Sequence, residues 1–197
     1  MLMRSMIGAG VLGLALATPA SALVVVYTTA LSGAAESPPV VSAGTGNATV
    51  TLDDVARTMR VQVTFSGLTG NVTQSHIHCC TAVPGAGNVG VASELPSFTG
   101  FPLGGTSGTY DRSFDMTLAA SYGAAFVTNN GGTAATAFAA LANGMNAGRA
   151  YLNVHSSFAP GGEIRGFLAP IPEPETYALM LAGLAAVAVA ARRRKPH

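Results

Sequence analysis

Met59-Arg60-Val61-Gln62-Val63-Thr64-Phe65 decides the fold class. Apolar and polar side chains alternate through it without a fault, which is the period of a strand with one face buried and one face wet. Leu23 to Leu31, Ala48 to Leu52, Val72 to His78, Thr109 to Leu118, Ala150 to Ser156 and Glu163 to Leu168 are shorter, noisier segments of the same kind. Turn residues separate them, as at Ser66-Gly67, Gly104-Gly105 and Pro160-Gly161-Gly162. Many short strands joined by Gly-rich turns predict an all-β sandwich or barrel. One helical insertion interrupts the pattern. Thr133 is its N-cap, Ala134 to Asn143 carries Phe138 and Leu141 on one face, and Gly144 is the expected stop. Thr81 to Ser107 is a long Gly- and Pro-containing loop, and a loop of that length in a compact domain is more often functional or mobile than neutral. Asp53-Asp54 reads as a turn.

The same parity rule locates the polar residues that could carry chemistry. In Ser75-His76-Ile77-His78 the two histidines share one face of a strand and Ile77 takes the other. With Ile77 inward, both imidazoles face solvent or a cleft. Ala150-Tyr151-Leu152-Asn153-Val154-His155 sends Tyr151, Asn153 and His155 outward, and Glu163-Ile164-Arg165 does the same with Glu163 and Arg165. If these strands are neighbours, His76, His78 and His155 can meet.

The two ends carry sorting information. Residues 1–22 have one cation, Arg4, an apolar stretch from Ile7 to Ala17 and then Ala20-Ser21-Ala22, the small-residue pattern of a signal peptidase site. The predicted mature start is Leu23. At the other end Pro172-Glu173-Pro174 is followed by an uncharged run over 176–191 and a basic stop, Arg192-Arg193-Arg194-Lys195. As a helix the run is roughly 24 Å long, just able to span a hydrocarbon core of about 30 Å, and the cations fix the orientation with the domain outside. This ordered set resembles the PEP-CTERM class of exported bacterial proteins. The resemblance implies that an exosortase removes the tail at the inner membrane of a Gram-negative bacterium. The protein then goes to the cell surface or extracellular matrix, where exopolysaccharide or other matrix proteins are the implied partners.

Removing the ends changes the charge. Arg4 and Arg192 to Lys195 account for half of the ten Lys and Arg, while Glu173 and Glu175 are two of the nine Asp and Glu, so the remainder is near minus two rather than +1. Nothing basic is left to attract nucleic acid. Residues 23–169 have the length of one domain with one core.

Within that domain His76-Ile77-His78, Tyr151-Leu152-Asn153-Val154-His155 and Gly162-Glu163-Ile164-Arg165-Gly166, together with Glu36-Ser37-Pro38-Pro39-Val40 near the mature start, are similar to the CHRD domain first described in chordin, with the motifs spread over the chain in the family's order. The resemblance implies an antiparallel immunoglobulin-like β-sandwich, found in exported bacterial proteins without an assigned reaction. Adjacent Cys79 and Cys80 depart from what the family requires.

Two readings of the polar residues follow. In one, the histidines, Asn153, Glu163 and Arg165 form a structural network between strands, with Glu163 and Arg165 as a ready ion pair. In the other, His76, His78 and His155 supply three nitrogens to zinc or copper, with Glu163 behind them. A copper-zinc dismutase ligand set would need more histidines than the three that remain once His197 is set aside. Cys79 and Cys80, exported to an oxidising compartment, are either a disulfide, free thiols or thiolate ligands. No Ser, His and acid arrangement has supporting local sequence, and the sole lysine is Lys195, so no phosphate loop and no enzyme is expected. The sequence thus predicts a surface or matrix interaction module with no certain cofactor, and as its alternative a metal-binding protein with redox or hydrolytic potential.

Overall fold

A computed structural model describes residues 24–171, 181–184 and 187. The expected signal peptide over 1–22 and most of the expected membrane helix over 176–191 lie outside the described residues. Among the described residues no helix is long and apolar enough to cross a membrane. Those of the tail, 181–184 and 187, are helical, with Leu181, Leu184 and Val187 exposed.

The strands are β1 (Val24–Ser32), β2 (Thr45–Asp53), β3 (Thr58–Ser66), β4 (Val72–Cys79), β5 (Gly108–Asp115), β6 (Ala150–Ser156), β7 (Ile164–Phe167) and β8 (Ala169–Pro170). They form one eight-stranded sheet in the order β4-β6-β7-β1-β2-β3-β5, with β8 on β1. Every pairing is antiparallel. The antiparallel all-β expectation is met, in the form of one continuous sheet. The two halves, β4-β6-β7 and β1-β2-β3-β5, are joined through the single register pair Ser32 and Arg165. Their inward residues, Ile77, Leu152, Val154 and Ile164 from one half and Val50, Leu52, Val61 and Val63 from the other, lie in one core. The sheet therefore curls into a half-barrel around a common interior. At its open side Gly104 and Gly105, just before β5, exchange backbone hydrogen bonds with Val72 at the start of β4.

The strand that decided the fold behaves as read: Met59, Val61, Val63 and Phe65 are buried. The Asp53 turn is also as read, since Asp53 Oδ1 accepts from the backbone N–H of Val55 and Ala56 at 3.0 and 2.8 Å. Helical content is larger than expected. A short helix α1 (Ala124–Asn129) precedes α2 (Ala134–Asn146). Thr133 caps α2 as predicted, in a capping box with Thr136. Gly144 does not stop the helix. It continues to Asn146, and Gly148, at φ 64°, follows its end. Gly144 is needed inside the helix for a packing reason: a Cβ there would overlap Sγ of both Cys79 and Cys80. These two cysteines are joined by a disulfide across a cis peptide, with Cα atoms 3.0 Å apart.

The long loop is ordered and serves β4. Residues 90–98 run beside that strand, with the Ala92 and Ser93 N–H groups donating to Ile77 O and the Phe98 N–H to Ser75 O. A register shift between Val72 and Gln74 reverses the parity of Val72, which joins the core while Gln74, His76 and His78 share the opposite face.

Candidate metal centre

Strand parity places the polar residues on one face of β4-β6-β7, as the sequence predicts. Gln74 stands opposite His155, His76 opposite Asn153 and His78 opposite Tyr151, with Asn153 in turn opposite Arg165. Of the two settings expected for the imidazoles, solvent or a cleft, open solvent fails. His76, His78 and His155 are 2, 9 and 7 % exposed, and Asn153, Glu163 and Arg165 are fully buried as well. The cause is a second cover. Loop residues 35–37, 87–89 and 160–162 close over the face, and Arg165 fastens two of them. Its Nε donates to Ala35 O at 2.5 Å, and its Nη1 donates to Gly87 O at 3.1 Å and to Asn88 Oδ1 at 2.6 Å.

Glu163 and Arg165 are not each other's partners, because they point to different neighbours. Arg165 pairs with Glu36, Nε to Oε2 at 3.7 Å. Burial pushes the Glu36 carboxyl up to about 7, against the opposing pull of Arg165. The Glu163 carboxylate accepts from Ser42 Oγ at 2.6 Å, from the N–H of Thr69 at 2.5 Å and of Gly70 at 3.2 Å, and from Ser156 Oγ. Burial pushes its carboxyl up, but these four bonds outweigh it and hold it below the usual range. Glu163 is thus a knot between loops rather than a group behind the histidines.

The three histidines do converge. One ring nitrogen from each lies within 4.8 Å of the other two. His76 packs edge-on against both partners, with centroids at 5.0 Å from His78 and 4.6 Å from His155. His78 stacks on Tyr151 at 4.7 Å and 6° between planes, and the Arg165 guanidinium lies 4.6 Å from the Tyr151 ring on that stack.

Hydrogen bonds fix which nitrogens are bare. His78 Nδ1 meets Val89 O at 2.7 Å and His155 Nδ1 meets Pro160 O at 2.8 Å. A carbonyl only accepts, so both Nδ1 atoms carry the proton and both Nε2 atoms present a lone pair. His76 Nε2 meets Gln74 Oε1 at 3.2 Å, which leaves His76 Nδ1 bare, provided the amide presents its oxygen. His76 Nδ1 faces His78 Nε2 at 3.2 Å, a hydrogen bond in one His76 tautomer and two converging lone pairs in the other. His155 Nε2 is buried with no partner at all. Burial, reinforced by the neighbouring imidazoles, lowers His76 to about 3, and burial lowers His78 to about 4 and depresses His155.

Cys79 and Cys80 do not join this cluster. Bonded to each other, they line a cleft of about 630 Å³ with Phe126, Asn143 and Gly144, under the helices. Gln74, and the carbonyls of Val89 and Pro160, were not singled out from the sequence. Gln74 was readable, because it continues the i, i+2 series of His76 and His78. The two carbonyls were not, since any residue type can supply one.

Residues 27–168 match the model of the CHRD domain family. The chain belongs to the CHRD family. Residues 170–195 match the PEP-CTERM protein-sorting motif. The protein is therefore an exported CHRD-domain protein of the cell surface whose tail an exosortase processes. No curated protein and no solved structure matches the chain.

Proposed function

We propose that this CHRD domain is a metal-binding module displayed at the cell surface, with His76 Nδ1, His78 Nε2 and His155 Nε2 as its ligands. The observation that carries the reading is the convergence of three imidazole nitrogens, each within 4.8 Å of the others, in a buried place. Two nitrogens bound to one zinc or copper ion at about 2.0–2.1 Å stand roughly 3.3 Å apart at the tetrahedral angle. His76 Nδ1 and His78 Nε2 are 3.2 Å apart without any ion. Each ring is also oriented by a hydrogen bond from its other nitrogen, the usual support of a metal-bound histidine. His155 Nε2 is a buried acceptor without a donor, which costs about 1–3 kcal/mol.

The reading assigns binding and no reaction. Exopolysaccharide or matrix proteins are proposed as surroundings of the displayed domain, on the strength of the sorting tail alone.

The test is metal content. The chain, purified without added metal, loaded with zinc or copper and dialysed, should retain about one ion, and His76→Ala and His155→Ala should each lose it while remaining folded. Retention of no ion by the parent chain, or equal retention by both variants, would refute the reading.

A further inference from the structure

Resting on that reading, we infer that the centre is built for a monovalent ion, copper(I), in preference to zinc(II). The donor set is wholly neutral. The carboxylates and sulfurs of the neighbourhood turn to other places: Glu36 Oε2 to Arg165, Glu163 to four hydrogen-bond donors, Cys79 to Cys80, while Glu36 Oε1, buried without a hydrogen bond, is not among the atoms that converge with the three rings. The nearest fixed cation adds to the imbalance. Arg165 lies on Tyr151, and Tyr151 lies on His78, so a single ring separates a guanidinium from one of the ligands.

Charge and coordination then point the same way. The cost of taking an ion from water into a low-dielectric interior grows with the square of its charge, so a divalent ion with no anionic ligand suffers about four times the penalty of a monovalent one. Zinc completes a tetrahedron, and with three protein ligands it takes water as the fourth. Copper(I) is satisfied by two or three imidazole nitrogens alone. Three histidines under a cover of loops, with none more than 9 % exposed, match the second demand and not the first.

The structure also shows how to reverse the preference. Gln74 holds His76 Nε2 with a neutral amide oxygen. Gln74→Glu would put a carboxylate at that point, giving the His76 ring an anionic partner and the centre a compensating charge. Gln74 is only half-buried, which leaves room for the charge.

The experiment uses the full-length chain in mild detergent. Copper(I) is supplied as its acetonitrile complex under argon with bicinchoninate as competitor, and zinc(II) as the sulfate with a chromogenic chelator. The parent chain should bind copper(I) at least 100-fold more tightly than zinc(II). Gln74→Glu should raise zinc(II) affinity tenfold or more and change copper(I) affinity less than threefold. Zinc(II) binding as tightly as copper(I), or a variant that strengthens both ions equally or neither, overturns the inference and leaves the metal reading standing. Binding of neither ion overturns both. If the variant does not fold, the ratio for the parent chain decides.

Discussion

Replacing Glu163 by Gln tests the buried carboxylate with the least change of shape. The side chain is fully buried, and all four of its partners are donors: Ser42 Oγ and the Thr69 N–H on Oε1, the Gly70 N–H and Ser156 Oγ on Oε2. A glutamine keeps one oxygen and turns the other into a second donor. Whichever way the amide is set, its NH₂ faces one hydroxyl and one backbone N–H. The hydroxyl can rotate and accept, but the backbone N–H cannot. One buried donor is therefore left without an acceptor, at about 1–3 kcal/mol, and the surviving bonds fall from charge-assisted to neutral, at about 1 kcal/mol each. The expected loss is roughly 3–5 kcal/mol, or on the order of 10 °C in melting temperature for a domain of this size. The loss should itself depend on pH. Because the folded carboxyl sits below its ordinary range, its contribution is present above the unfolded pKa and disappears as pH falls through the folded one. Glu163→Gln should thus be most damaging at neutral pH. Urea unfolding of residues 23–170, followed by far-UV circular dichroism at pH 7 and at acid pH, measures both effects. A loss below about 1 kcal/mol at pH 7 would refute the assignment of Glu163 as a knot joining the 42, 69–70 and 156 segments.

Gly144→Ala should destabilise, by about 1–3 kcal/mol, although Gly to Ala inside a helix ordinarily stabilises by about 0.5–1 kcal/mol, because the new methyl meets both sulfurs. A thiol assay should find Cys79 and Cys80 more readily opened, and a more stable variant with its disulfide intact would sink this account. Glu36 has the opposite sign to Glu163: with its folded pKa raised to about 7, its favourable contribution is full below about pH 4.5 and is lost as pH rises through 7. Glu36→Gln should remove that fall, about 2 kcal/mol after partial solvent screening, and a parallel pH profile of parent and variant would contradict it. Deleting residues 172–197 should abolish the tail-dependent mass decrease and the retention of the protein at the surface, and unchanged processing would count against the sorting motif as its cause.

What the sequence could and could not say about the centre has a single physical origin. A period of two records which side of a strand a residue occupies, and for Tyr151, Asn153, His155, His76, His78 and Arg165 that side was read correctly. The period does not record what lies beyond the side chain. In most antiparallel sheets the face opposite the core is wet, so polar residues on it are expected to meet water. Here Glu36, Asn88 and Pro160 belong to loops far apart in the chain, and each brings its own donors or acceptors. A loop assembled from such pieces leaves no periodic trace. The helix suffered a related misreading: Gly144 resembles a C-cap to anything that sees only neighbours along the chain, whereas the sulfurs that require it are contributed by β4.

The same reasoning separates the two readings that the sequence left open for the histidines. A structural network matches donors to acceptors: Glu163 meets four donors, and Arg165 meets three acceptors through Nε and Nη1. The histidines do so only on the outward nitrogen of each ring. Had the imidazoles served the network alone, each inward nitrogen should also have found a donor among so many buried polar groups. His155 Nε2 finds none, and His76 Nδ1 and His78 Nε2 find only each other. The layer gives the Glu163 carboxylate four donors and the Arg165 guanidinium three acceptors, yet leaves Glu36 Oε1, Asn153 Oδ1 and His155 Nε2 buried without a partner, so the proposed metal site rests on the convergence of the three rings and not on an orphaned atom alone.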